Sequence, residues 1–187
     1  HNAQNVATAY GAVTAILETT TADVRTGIVE AIARFPGLAH RQELLGAKGA
    51  LRFVNDSKAT NAEAAAHALS AYENIYWIAG GIAKDGGIAA LEPLFDRVQH
   101  AFLIGEAADD FEATLEGRVS TTLSGDLANA TQQATDMAVG DGNAVVLLSP
   151  ACASFDQFPS FEARGDAFRE AVAAIPGFVP HATGDAA

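Results

Sequence analysis

Four short apolar runs constrain the fold of this 187-residue chain more than any other feature. They cover residues 51–54, 75–79, 101–104 and 144–148, and each ends in a turn of small or polar residues. Segments with helical periodicity lie between the later runs. Continuous apolar strands that alternate with helices indicate a parallel sheet covered on both faces. The sequence therefore predicts an α/β fold with a Rossmann-like, doubly wound and mostly parallel sheet.

Two segments with helical spacing, 6–17 and 24–35, precede the first of these strands. Thr20 or Thr21 can cap the second helix, and Pro36-Gly37 is expected to end it. Two helices cannot form a domain of their own, so we expect residues 1–36 to be the end of a preceding domain. Residues 37–176 then form the α/β domain, and the apolar-poor segment 177–187 is expected to be a loose tail.

Local signals predict three further features of the α/β domain. A hairpin is expected with strands at 42–45 and 51–54 and a turn at 47–49. A helix over 127–138 has Ser124 as its expected N-cap and Gly140 after its end. A last helix is expected over 161–174, where Arg164 and Asp166 would make surface or domain-interface contacts.

Charge, hydropathy and cysteine content weigh against several classes of partner and compartment. The net charge is −12, with eleven Lys and Arg against twenty-three Asp and Glu. This balance weighs against nucleic acids and anionic membranes as partners. No apolar run reaches the roughly 18 residues of a membrane span. The one cysteine, Cys152, cannot form an intrachain disulfide, which predicts a reducing compartment and hence a cytoplasmic protein.

Polar turns follow the predicted strands at 55–61, 80–87, 105–106 and 149–158. In a doubly wound sheet such turns meet at the carboxyl edge, where ligands bind. The first turn holds a carboxylate (Asp56), an ammonium (Lys58), two hydroxyls and two amides. A plain connection would need only one capping residue. We therefore expect a ligand site at this edge.

The other turns allow more than one interpretation. Four glycines surround Lys84, which fits either an anion site or a solvated loop; the spacing does not match a P-loop. Ser154 could donate to a carboxylate. Cys152 is interpreted as a small buried hydrophobe rather than a nucleophile, because no histidine lies near it in sequence. The spacing of His and Cys residues does not suggest a metal site.

Six sequence motifs together resemble the Mur ligase family of peptidoglycan synthesis. They occur in the family's order and span nearly the whole chain. In the junction motif the family usually has proline where this chain has Ala39. The motifs are H-N-x-x-N at 1–5, G-L-A-H-R at 37–41, N-D-S-K-A-T-N at 55–61, G-G with Lys84 at 80–84, L-S-P-A-C-A-S at 148–154 and F-E-x-R-G-D-x-F at 161–168.

The resemblance implies a three-domain enzyme, of which this chain would be the end of the central ATP-binding domain and the C-terminal domain. The implied reaction uses ATP and Mg²⁺ to join D-glutamate to UDP-N-acetylmuramoyl-L-alanine through an acyl phosphate. The family's P-loop and Mg²⁺ ligands would lie upstream, in the missing N-terminal and central domains. This chain alone is therefore expected to be inactive.

The resemblance also implies roles for individual residues. Those matched to D-glutamate contacts are Thr60, Lys84, Ser154, Phe161 and Lys58, although Lys58 could face phosphate instead. Those matched to ATP contacts are Asn2 and Asn5 (adenine), Arg41 (phosphate) and Asp56 (ribose). Two alternatives stay open: a related amide ligase, such as another Mur ligase or folylpolyglutamate synthetase, and a non-catalytic Rossmann-like binding domain. The retained lysines argue against the second alternative.

Overall fold

The computed structural model describes residues 2–17, 21–35 and 37–181, with side chains from residue 6 onward. The chain divides into two compact units, the first ending at Gly37 and the second beginning at Leu38. The first unit contains α1 (Asn2–Ile16) and α2 (Ala22–Arg34). Thr21 caps α2, because its hydroxyl accepts the Val24 N–H at 3.4 Å. Thr20, the alternative cap, lies outside the described residues.

The second unit is built on a seven-stranded sheet. Its strands are β1 (Glu43–Lys48), β2 (Leu51–Asn55), β3 (Ile75–Gly80), β5 (Val98–Ile104), β6 (Ser120–Gly125), β7 (Val145–Leu148) and β9 (Val179–Pro180). Their order is β6-β5-β3-β7-β2-β1-β9. The strands from β6 to β2 are parallel, whereas β1 and β9 add antiparallel pairs. A separate antiparallel pair joins β4 (Ile82–Ala83) to β8 (Cys152–Ala153).

Helices cover both faces of this sheet. One face carries α3 (Ala62–Ala71), a 3₁₀ segment (Ala89–Arg97) and α4 (Ala108–Leu115), and the other carries α5 (Leu127–Ala138) and α6 (Phe161–Ala173). Successive residues of β3 alternate between the two cores, with Trp77 in one and Ile78 in the other, both fully buried. The predicted doubly wound, mostly parallel α/β fold is confirmed. Among the described residues, no helix is long and apolar enough to span a membrane.

Local boundaries differ from the predictions at two places. Strand β1 continues to Lys48, so the hairpin turn lies one to two residues later than expected, at Gly49 and Ala50. The N-cap of α5 is Asp126, whose carboxylate accepts the Asn129 N–H at 2.8 Å. The prediction of Ser124 was wrong because β6 continues through this residue to Gly125, and the chain is still extended there.

Residues 177–181, the described part of the segment that was predicted to be a loose tail, are ordered. Strand β9 pairs with β1, and the His181 N–H donates to the Leu45 carbonyl at 2.9 Å. The Phe178 ring packs edge-on against the buried Phe53 ring, with centroids 5.7 Å apart. One aromatic side chain and a few backbone hydrogen bonds thus anchor a segment whose low apolar content suggested disorder.

Candidate functional site

The turns that follow the parallel strands are fastened to one another at the carboxyl edge of the sheet. The Gly80 N–H donates to the Pro150 carbonyl at 2.9 Å, and the Gly81 N–H donates to the Ile104 carbonyl at 3.1 Å. The pairing of β4 with β8 places the loop that carries Lys84 beside the turn that carries Ser154. The structure therefore brings these polar turns together, as the strand pattern predicted.

Asp56, the predicted ribose contact, is buried at the end of β2. One carboxylate oxygen accepts the Ser149 hydroxyl at 2.8 Å, and the other accepts the Gln42 N–H at 3.1 Å. Burial raises the pKa of Asp56 to about 6, although both hydrogen bonds and the nearby Arg41 charge act in the opposite direction. The carboxylate therefore helps to hold the site together.

Several other polar side chains of the 55–61 turn also have structural partners. The Ser57 hydroxyl donates to the Phe161 carbonyl at 2.8 Å, and Asn61 caps α3 by accepting the Ala64 N–H at 2.8 Å. The Asn55 amide nitrogen donates to the Gly165 carbonyl at 3.2 Å. The two remaining polar side chains of the turn face solvent to different extents: that of Lys58 is exposed and that of Thr60 is half-buried.

The ammonium of Lys58 lies 3.8 Å from the centroid of the Phe161 ring, a cation–π contact. Phe161 is the first residue of α6, and its ring also meets the His40 ring edge-on at 6.2 Å. The structure thus places Lys58 next to a residue matched to the D-glutamate site.

Arg164 is buried, contrary to the expectation of a surface or interface contact. Its Nε donates to the Ser57 hydroxyl at 3.0 Å, and Nη2 donates to the carbonyls of Ser57 at 2.9 Å and Cys152 at 3.0 Å. Burial lowers its pKa to about 10. Nη1 has no hydrogen-bond partner in the described part of the chain and lies against Gly81. This one side chain joins α6 to the turns after β2 and β7.

A signal for the burial of Arg164 exists in the sequence. Phe161, Arg164, Phe168 and Val172 follow the i, i+3, i+7, i+11 spacing of one helix face. Phe168 and Val172 are core residues on that face. An arginine on such a face requires several buried acceptors, and here backbone carbonyls and a serine supply them.

Cys152 is a free, buried cysteine, as predicted. Burial raises the pKa of its thiol to about 12, the nearby Arg164 charge notwithstanding. Since the thiolate is the nucleophile, this environment suits a packing role. The neighbouring Ser154 is also buried and starts a turn, because its carbonyl accepts the Gln157 and Phe158 N–H groups at 3.1 and 2.8 Å.

Two glycines before Lys84 are required by packing alone. Gly80 and Gly81 both have positive φ values, 127° and 123°. A Cβ on Gly80 would overlap the Ile104 carbonyl, and one on Gly81 would overlap the Ala153 carbonyl. An approaching anion is therefore not needed to explain them. Lys84 itself follows β4 and is exposed.

The predicted ATP contacts are described only in part. Arg41 is exposed and lies in a turn between His40 and Gln42. Asn2 and Asn5 have their backbone in α1, but their side chains lie outside the described residues.

Sequence reasoning missed the buried His40, whose Nδ1 lies 3.1 Å from the Asn55 amide nitrogen. In the described part of the chain, no group of three or more His, Cys, Asp or Glu is arranged to hold a metal ion.

Relatives of this chain define its class. It is 57% identical over 173 residues to a protein of Caulobacter vibrioides (strain NA1000 / CB15N), covering 92% of this chain and 36% of the relative. It is 55% identical over 183 residues to one of Nitrobacter hamburgensis, covering 96% of this chain and 38% of the relative. It is 58% identical over 150 residues to one of Paramagnetospirillum magneticum, covering 79% of this chain and 33% of the relative. No family model matches the chain.

This similarity, together with the Rossmann-like fold, shows that the chain belongs to the Mur ligase family. The relatives named above are all UDP-N-acetylmuramoylalanine–D-glutamate ligases, and the chain matches their C-terminal portion. It spans 33–38% of the length of these relatives.

Proposed function

We propose that this chain is the C-terminal part of an ATP-dependent ligase that joins D-glutamate to UDP-N-acetylmuramoyl-L-alanine through an acyl phosphate. Within that enzyme, the second unit binds D-glutamate and closes over ATP, while Mg²⁺ and its ligands belong to the upstream domains. The observation that carries this proposal is the identity of 57% over 92% of the chain to a ligase of that name.

The amino-acid side of the proposed site lies on three neighbouring turns and the start of α6. A dianionic amino acid requires cations and neutral donors in one place. Lys58 and Lys84 are exposed at this edge, and Ser154 and Thr60 can supply hydroxyl donors. The contact between Lys58 and the Phe161 ring supports assigning Lys58 to D-glutamate rather than to phosphate.

The nucleotide side of the second unit is proposed to be formed by Arg41 and Asp56. For Asn2 and Asn5 of the first unit, the adenine contacts implied by the family resemblance stay a separate proposal. Arg41 is exposed in the turn directly before β1, and Asp56 holds that turn through the Gln42 N–H. An arginine in this position offers a planar, permanently charged donor for phosphate oxygens. The two proposed subsites therefore flank the 55–61 turn.

The proposal is tested by comparing Lys84→Ala with Arg41→Ala in a full-length ligase that contains this chain. Lys84→Ala should raise the KM for D-glutamate about thirtyfold, because loss of a charge partner from a bound carboxylate costs about 2 kcal/mol or more. The KM for ATP should change much less. Arg41→Ala should show the opposite pattern.

Lys48→Ala serves as the matched control, since Lys48 ends β1 at the far end of the hairpin. It should leave both KM values unchanged. An unchanged KM for D-glutamate in Lys84→Ala would return this lysine to the role of a solvated loop residue.

A further inference from the structure

The turn that carries Arg41 has an unusual backbone. His40 and Gln42, the residues on either side of Arg41, both have positive φ values, 59° and 45°. Non-glycine residues adopt the left-handed region at a cost in energy, and two of them so close together need outside support. The surrounding structure must therefore hold this turn in place.

Two carboxylates supply that support, one from each side of Arg41. The His40 N–H donates to Glu43 Oε2 at 3.0 Å, and the Gln42 N–H donates to Asp56 Oδ1 at 3.1 Å. The Lys58 N–H also donates to the His40 carbonyl at 3.0 Å. Hydrogen bonds to charged acceptors are stronger than those between neutral groups. The backbone on both sides of Arg41 is thus clamped.

Glu43 is itself held by α6. Arg169 Nη2 lies 2.6 and 2.8 Å from the two Glu43 oxygens, and Nη1 donates to Asp166 at 2.6 Å. The Arg169 and Glu43 side chains are only 35% and 24% exposed, so this pair is shielded more than a surface ion pair. The Asn55 amide nitrogen lies 3.4 Å from Glu43 Oε2 and 3.1 Å from His40 Nδ1.

We propose that Glu43, oriented by Arg169, is a positioning residue that holds the 40–42 turn so that Arg41 can contact the phosphates of ATP. Neither Glu43 nor Arg169 is part of the proposed binding site. The consequence for ATP rests on the proposed function, whereas the clamp on the turn does not. Because Arg169 belongs to α6, the helix that begins at Phe161, it also links the nucleotide side of the edge to the amino-acid side.

The first test measures the clamp directly, by amide hydrogen exchange on the 187-residue chain. Glu43→Ala should speed exchange at His40 and Gln42 about tenfold or more, because both amides lose a constrained turn. The Ile78 and Val146 amides in the central strands should be unaffected. Glu43→Gln keeps an acceptor oxygen and should restore most of the protection. Glu92→Ala, which removes the partner of Arg118 on the other side of the molecule, is the matched control and should change none of these amides.

The second test measures the consequence for ATP in a full-length ligase that contains this chain. Glu43→Ala and Arg169→Ala should raise the KM for ATP several-fold, with Glu43→Gln close to the parent, and the KM for D-glutamate should change less than about twofold. Unchanged exchange at His40 and Gln42 would overturn the clamp. Equal changes in the KM values for ATP and D-glutamate, together with faster exchange in the central strands, would also overturn the clamp, because they would indicate a general loss of structure. If Arg41→Ala left the KM for ATP unchanged while the exchange results held, the clamp would stand and the phosphate role of Arg41 would fall.

Discussion

At the scale of single residues, the polar groups of the carboxyl edge divide into those that build the site and those that face solvent. Asn55, Ser57 and Asn61 bond to protein groups, and Asp56 does so with both oxygens. Lys58 and Lys84 are exposed instead. The 55–61 motif was predicted from sequence as a ligand turn. The sequence could not show which of its side chains are structural, because their partners lie as far away as Phe161 and Gly165.

The contacts that support the proposed site were beyond sequence reasoning for the same reason. Glu43 and Arg169 are 126 residues apart in the chain and meet only because α6 packs against β2, the hairpin partner of β1. In the sequence, His40 appeared only as part of the junction motif at 37–41. Its burial depends on Asn55 and on the absence of a side chain at Gly165.

The first residue-scale prediction concerns Asp56 and pH. Its pKa is raised from 3.8 to about 6, so the folded state binds this proton more tightly than the unfolded state. The resulting stabilisation is present below about pH 4 and is lost as the pH rises through about 6, amounting to about 3 kcal/mol. Asp56→Asn removes this dependence. Its stability relative to the parent should therefore increase by about 1–2 kcal/mol between pH 5 and pH 8.

Urea unfolding followed by the fluorescence of Trp77, the one tryptophan, measures this difference in the second unit. The exposed Asp136, changed to Asn, is the matched control. A relative stability of Asp56→Asn that does not change with pH would mean that the carboxylate is as well solvated in the fold as outside it.

At the scale of elements, the central strands were predicted well and the peripheral ones poorly. Strands β3 and β7 are buried along their whole length, which produces the continuous apolar runs. Strand β6, at the sheet edge, reads S-T-T-L-S-G and resembles a loop. The 3₁₀ segment contains Pro93 and lacks a side-chain cap, so its sequence gives no clear helix signal.

Helix α6 yields a prediction in which helix propensity and packing disagree. Gly165→Ala should stabilise a helix interior by about 1 kcal/mol. However, a Cβ at this position would overlap the buried His40 ring. The expected net result is a loss of about 1–3 kcal/mol from overpacking. In a His40→Ala background, where the ring is absent, the same substitution should be neutral or stabilising. Trp77-detected urea unfolding of the four proteins gives this comparison, and equal effects in both backgrounds would contradict the proposed clash.

At the scale of the whole molecule, the described part of the chain forms two units, a pair of helices and an α/β unit. No residue of α2 is buried. The second unit contains both hydrophobic cores and the complete sheet. The two units divide after Gly37. That the Pro36-Gly37 pair and the junction motif mark the limit between two domains stays a prediction.

We expect the second unit to fold by itself. Residues 37–187 should unfold cooperatively in a thermal melt followed by near-ultraviolet circular dichroism, because their cores include none of the described side chains of α1 or α2. The midpoint should lie close to that of the 187-residue chain. A broad, non-cooperative transition would show that the helices of the first unit are needed.

We also expect the 187-residue chain to be inactive alone. Phosphate binding and positioning supply most of the rate in phosphoryl transfer, and these functions are proposed to lie upstream. Nucleotide binding should be no tighter than about 1 mM, about −4 kcal/mol. Release of phosphate from ATP by the pure chain, with or without D-glutamate, would contradict this assignment.

The short strand β9 has a consequence for the behaviour of the protein in solution. It pairs with the outer side of β1. Without β9, the backbone N–H and C=O groups on that side would be unpaired and could bind a strand of another molecule. Pro180 lacks an N–H and β9 is only two residues long, and among the described residues no further strand pairs beyond it. Removal of residues 177–187 would leave the edge of β1 open and remove Phe178 from the Phe53 ring. Such a shortened protein should self-associate by edge-to-edge pairing, even with its fold and the carboxyl edge of its sheet intact.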